Sequence, residues 1–125
     1  LTKEIIEVLK PRRELKVISE SADPRLIDEI HNAGINIYPV DKSGPSVIAG
    51  IEKMLEMEIY VTERSYNALT EFRNYVWDED KDGLPLNRPK DGQADHIIDA
   101  VRYYVLGMIL GKIKKTNKSY RGYFG

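Results

Sequence analysis

Cysteine is absent from all 125 residues, which excludes disulfides and thiolate metal ligands; any metal here must be held by oxygen or imidazole. An excess of charge of either sign is missing too. The 19 Lys and Arg face 20 Asp and Glu, a net charge of −1. The field of a strongly basic nucleic-acid binder is thus excluded, and any contact with nucleic acid has to come from local patches. No apolar run approaches the roughly 18 residues of a membrane-spanning helix. Lys3, Glu4 and Glu7 interrupt the start, where a signal peptide needs an apolar stretch, so we read the chain as cytoplasmic. Internal repeats, low-complexity segments and a glycine-rich phosphate loop are all lacking. What is there is a globular composition, 42% hydrophobic and 31% charged, of a length that fits one domain or part of one. The first residue is Leu1, within what reads as a helix already under way, so we expect a piece of a longer domain.

Leu1, Ile5, Val8 and Leu9 have helical spacing up to Pro11. Residues 15–18 read as a short buried strand. Asp23-Pro24 then starts a helix with an acceptor at the cap and proline in the first turn, and Asn32-Ala33-Gly34 ends it. Residues 35–40 are apolar and β-branched, a second strand. Ser43-Gly44-Pro45 opens a helix that buries Val47, Ile48, Ile51, Met54 and Leu55. Ile59-Tyr60-Val61 predicts a third strand, and Thr62 or Ser65 caps a helix through Leu69, Phe72 and Val76. Residues 77–91 are polar and rich in glycine and proline, a loop or hairpin. A last helix runs from Asp95 to about Lys112. This alternation predicts an α/β fold with a mostly parallel sheet.

In open parallel sheets, sites form beyond the carboxyl ends of the strands. Glu20 lies just past the first strand. Asp23 is close by, and its ordinary role is to cap the helix it precedes. In Asp95-His96-Ile97-Ile98-Asp99-Ala100-Val101-Arg102-Tyr103, helical spacing puts Asp99 beside Asp95 and His96. A carboxylate among Ile98, Val101 and Tyr103 is costly unless it is paired or binds a metal. Spacing alone leaves Asp99 divided between a site and an ion pair with Arg102. It gives Asp95 to the helix cap, and leaves His96, taken alone, a structural residue. Asp78-Glu79-Asp80-Lys81-Asp82-Gly83 fits the first half of a calcium loop, but Pro89 stands where the loop needs Glu, so we read a solvated turn.

Four segments in order carry a resemblance. Glu20-Ser21-Ala22-Asp23-Pro24 resembles the Asp-Ser-Ala-Glu-Pro segment of the nuclease domain of phage terminase large subunits. Residues 35–40 and 42–55 are similar to that family's next strand and helix. Glu71 to Trp77 resembles its Glu-x-x-x-Tyr-x-Trp segment, and Asp95 to Tyr103 its Asp-His-x-x-Asp-Ala-x-Arg-Tyr signature. The resemblance runs from about Leu15 to Val105. It implies a partial RNase H-like fold over residues 1–111, lacking the opening strand meander that carries the family's first catalytic Asp, followed by a basic tail over 112–125.

The resemblance further implies a carboxylate cluster binding two Mg2+ or Mn2+ ions, incomplete in this chain, for phosphodiester hydrolysis: one ion activates water and the other stabilises the leaving oxygen. Asp99 and Glu20 would be ligands, with His96 beside them as the third catalytic residue; Glu20 stands where the family has Asp. Lys42, Lys112, Lys114, Lys115 and Lys118 are candidates for contacts to the backbone of double-stranded DNA. Implied partners are an ATPase domain upstream in the same polypeptide, a small terminase subunit and a portal protein, in the cytoplasm of a bacterial host. A missing strand would leave an edge open to self-association. The rival reading is a non-catalytic α/β interaction module in which Asp99 and Arg102 form a structural ion pair; a ligand-binding α/β domain is a third.

Overall fold

The computed structural model of the chain describes residues 1–114. The helical spacing at the start becomes α1 (Thr2–Leu9), which a 3-10 turn at Lys10–Arg12 carries through Pro11. A parallel pair of strands forms the centre: β1 (Val17–Ser19) and β2 (Ile37–Pro39), in register Val17 to Ile37, Ile18 to Tyr38 and Ser19 to Pro39. The connection between them is α2 (Pro24–Asn32). The Asp23 side chain accepts from the Leu26 amide at 3.2 Å, which fixes where this helix starts, and Gly34 at φ 93° turns the chain out of it. Three more helices follow, α3 (Ser46–Glu56), α4 (Tyr66–Asn74) and α5 (His96–Tyr104), with a hairpin of β3 (Trp77–Glu79) and β4 (Pro85–Pro89) between the last two.

Alternate side chains of a strand point to opposite faces, and both faces of this pair are covered. Val17 and Ile37 join Ile27, Ile30 and Ile35 in a core closed by Ile5, Ile6 and Leu9 of α1. Ile18 faces the other way and meets Gly107, just beyond α5. Behind α5 lies a second core of Met54, Ile98 and Val105, packed by Phe72, Tyr75 and Val101. The result is the α/β arrangement expected, with helices on both sides of a small parallel sheet.

Three expectations need correction. Residues 59–61 form no strand: the edge of β2 that a third strand would take is held by the antiparallel segment Lys112–Lys114. The Asp41 amide donates to the Lys112 carbonyl at 2.7 Å, the Lys114 amide to the Pro39 carbonyl at 3.0 Å, and Val40 bridges Ile113. Tyr60 is left 83% exposed, while Ile59 and Val61 line an apolar recess with Met54 and Phe72. The last helix stops short of Lys112: α5 gives way to a π-helical turn at Val105–Ile109. Ser65 stands at the N-cap of α4, but its hydroxyl meets that of Thr62 at 2.7 Å and no backbone amide. Residues 77–91 do form a hairpin, whose Asp80 side chain accepts from the Asp82 and Leu84 amides and Gly83 takes φ 79°, so the acidic run is a turn. Lys115 and Lys118 lie outside the described residues.

Gly107 sets how closely α5 approaches β1. A methyl group there would lie 2.9 Å from Cγ2 of Ile18 and 3.1 Å from its Cγ1 and Cδ1, and a β-branched neighbour has few rotamers to escape into. Gly107→Ala should therefore destabilise the fold, with overpacking of about 1–3 kcal/mol exceeding the roughly 1 kcal/mol that alanine gains in helix propensity. A urea midpoint equal to or above that of the parent chain would contradict the close packing.

Candidate functional site

Glu20 follows directly on β1, at the carboxyl end of the parallel pair. The chain turns sharply there, and the Glu20 side chain folds back to accept from the amides of Ser21 and Ala22 at 2.6 and 3.0 Å. Lys42, just past β2, reaches the same edge and sets its ammonium 2.6 Å from Oε1. Tyr103, on α5, donates its hydroxyl to Oε2 at 2.7 Å. Burial alone would push the Glu20 carboxyl up, but the Lys42, Tyr103 and Ser21 hydrogen bonds outweigh it and hold the group down at about 2, against an ordinary 4.5. Burial and the Glu20 carboxylate together push the Tyr103 hydroxyl up to about 12, so it remains a donor.

Asp99 lies one helical turn before Tyr103, on the same face of α5. Its charge adds only the smallest of the effects that raise the Tyr103 hydroxyl, after burial and the Glu20 carboxylate. Arg102 places Nη2 3.3 Å from Asp99 Oδ1; the Arg102 side chain is 6% exposed and that of Asp99 31%. Asp99 and Arg102 line an open cleft of about 380 Å³ with Asp95, Tyr75 and the hairpin residues Arg88 and Lys90. Neither Glu20 nor Tyr103 lines this cleft; Arg102, which does, lies over the Tyr103 ring at 4.8 Å. Arg88 is engaged by Asp78 at 3.0 Å.

The start of α5 is held by a residue that spacing alone does not single out. Asp95 occupies the cap position but its side chain makes no capping hydrogen bond, against expectation. Glu71 of α4 does the work from across the core: Oε1 accepts from the Ile97 and Ile98 amides at 2.8 and 3.1 Å, with the residue 7% exposed. A carboxylate at a helix N-terminus satisfies free amides and opposes the helix dipole. The only sequence signal for it was the Glu71 to Trp77 segment. That segment now has a physical reading: Glu71 holds α5, Tyr75 lines the cleft beside Asp99, and Trp77 begins the hairpin. Gln93 ties the hairpin base to the approach of α5 by bonding both the amide and the carbonyl of Val76.

Of the sequence candidates, Glu20 and Lys42 are in direct contact, while Asp99 is bonded to Arg102 one turn before Tyr103. His96 is exposed at the first residue of α5. Asp23 is taken up by its cap. Lys112 and Lys114 flank the Lys42 side of the edge, where they add to the hydrogen bonds from Ser43 that lower the Asp41 carboxyl. The donors suit a hard divalent cation: Glu20 is an ionised carboxylate, and Asp99 keeps an oxygen that Arg102 does not engage. Their number is short of a full site, since no group of three or more potential ligands is gathered among the described residues. No helix of the described residues is long and apolar enough to cross a membrane.

Comparison with known proteins gives three findings. The family described as "Terminase RNAseH like domain" matches residues 1–106. Over 92 residues the chain is 36% identical to the terminase large subunit of Bacillus phage SPP1; the match takes in 70% of this chain and 22% of that protein, so the chain spans under a quarter of its relative. The crystal structure of the large-terminase nuclease domain from bacteriophage SPP1 with bound Mn superposes with a TM-score of 0.72 at 31% identity, covering 84% of this chain and 62% of that one.

The hydrogen bonds to Glu20 predict a pH signature. A carboxyl held at about 2 in the fold and 4.5 outside it contributes stability that is complete above about pH 4.5 and is lost as the pH falls toward 2. Tyr103→Phe removes one donor and should raise the Glu20 midpoint in a carboxyl NMR titration. A midpoint already near 4.5 in the parent chain would contradict the geometry at this edge.

Proposed function

The chain belongs to the terminase large-subunit family as an RNase H-like domain, and from that premise we propose that it supplies part of a divalent-metal-dependent endonuclease centre that cuts concatemeric double-stranded DNA during phage genome packaging. The observation that carries this reading is the hydrogen bond from Tyr103 to Glu20, which ties a carboxylate at the carboxyl end of the parallel strands to the helix that carries Asp99. The Mn-bound SPP1 domain supports the choice of ion, and Mg2+ has the same preference for oxygen ligands.

In this reading Glu20 and Asp99 hold the metal, and His96 stands beside it. When bound, the ion supplies Lewis acidity to an attacking water and to the leaving oxygen of the scissile phosphodiester. The chain's own residues prepare the place. Tyr103 orients Glu20 by donating to Oε2. Arg102 engages one oxygen of Asp99, a residue that lines the cleft. Glu71 and Gly50 position α5: a methyl group at Gly50 would come within 2.6 Å of Arg102 Cγ, so only glycine lets the arginine lie where it does. Lys42, Lys112 and Lys114 form a basic edge suited to phosphates, which positions DNA without reading its sequence. A further carboxylate from outside the described residues would complete a two-ion site, because two carboxylates offset too little of the repulsion between the ions. An ATPase segment of the same polypeptide, a small terminase subunit and a portal protein are the partners this role requires, in the host cytoplasm. The outer edge of β1, which pairs with no strand among the described residues, suits docking of another strand or copy.

One observation favours the rival, in which Asp99 is only a structural partner for the buried Arg102: the two are 3.3 Å apart. Asp99→Asn separates the readings. In the complete large subunit it should cut nicking and cleavage of plasmid DNA by at least about a hundredfold, since the metal supplies several kcal/mol to the transition state, while the urea midpoint moves little. Full cleavage with a lowered midpoint would favour the structural pair. The 125-residue chain alone, with its incomplete ligand set, should nick little or nothing in manganese, and robust metal-dependent nicking by it would contradict the ligand count.

A further inference from the structure

Lys42 is a feature of this edge that a metal site does not need. Its ammonium lies 2.6 Å from Glu20 Oε1, and the two side chains are 37% and 43% exposed. It also sits 5.8 Å from the centre of the Tyr103 ring, the residue that holds the other oxygen of Glu20. Glu20 thus already has a cation, in the place where the proposed function requires a divalent one. Three donors converge on Oε1: two are backbone amides fixed by the turn after β1, and only Lys42 is charged and on a flexible stem. An ammonium beside a carboxylate cancels much of the attraction that would draw in an ion, and adds its own repulsion.

We propose that Lys42 is a built-in cation latch on Glu20, which a divalent ion must displace before the site can load. This inference rests on Glu20 being a metal ligand, and goes beyond it by assigning Lys42 a role opposed to metal binding. The closed latch fills the ligand with a charge tethered to the same edge, so loading is an exchange of one cation for another. Once displaced, the ammonium is free on the same edge as Lys112 and Lys114, available to a DNA phosphate. A DNA backbone that captures Lys42 would in turn favour metal at Glu20, since coupling between two ligands is reciprocal.

The test uses Mn2+ alone, titrated into the chain, with paramagnetic broadening of the amide signals of residues 20–22 and 99–100 as the readout. Lys42→Met should lower the manganese concentration for half-broadening by about two- to fivefold, the strength of a half-exposed ion pair. Lys42→Arg, which keeps the charge, should stay close to the parent chain. Glu20→Gln should abolish broadening at residues 20–22. An unaltered amide spectrum in each metal-free variant confirms the fold. If Lys42→Met binds no tighter than the parent while Glu20→Gln loses the metal, the latch is wrong and the ligand assignment stands. If Glu20→Gln broadens as the parent does, Glu20 is not a ligand and the latch falls with it.

Discussion

A single hydrogen bond, from the Tyr103 hydroxyl to Glu20, joins residues 83 positions apart and gives this structure its functional edge. Glu20 belongs to the sheet and Tyr103 to the last helix; without the bond, Asp99 and Glu20 would be carboxylates on separate elements. With it Glu20 is tied to the helix that carries Asp99. The turn just beyond α5 can approach β1 closely because Gly107 presents no side chain to Ile18.

The helix that carries Asp99 and Tyr103 is restrained at both ends. Its first amides are bound by the buried Glu71, and its last turn widens into the π-helical segment that buries Val105, Leu106 and Gly107 against the sheet and α3. π-turns of this kind recur next to functional residues. Between the two ends, Arg102 is buried with Nη2 bonded to Asp99, while its Nε and Nη1 have no hydrogen-bond partner among the described residues. The Arg102 guanidinium also lies over the Tyr103 ring, 4.8 Å from its centre, so one buried cation touches both Asp99 and Tyr103.

The sequence made the elements around the site readable because their boundaries are written in local chemistry. Asp23-Pro24 caps α2 as expected, and the β-branched runs marked β1 and β2 to within a few residues. Asp99 and Glu20 were legible as carboxylates in costly or exposed positions, and the family resemblance pointed to both. What was not legible depends on contacts distant in sequence. The third strand failed because residues 112–114 compete for the edge of β2, a pairing no local window records. Glu71 capping α5 crosses 26 residues to reach Ile97, whereas spacing favours the adjacent Asp95. Tyr103 read only as part of a motif, since nothing near it in the chain announces that its hydroxyl meets Glu20. Lys42 read as a DNA contact because a lone lysine after a strand carries no sign of the carboxylate it faces.

In the proposed function Glu20 and Asp99 hold one metal ion between them. Crystals of the chain soaked in manganese, with diffraction recorded at the manganese absorption edge, test it directly. An anomalous peak within about 2.2 Å of a carboxylate oxygen of both residues is expected. A peak bound by Asp23 or by the acidic turn at residues 78–82, with none between Glu20 and Asp99, would contradict it.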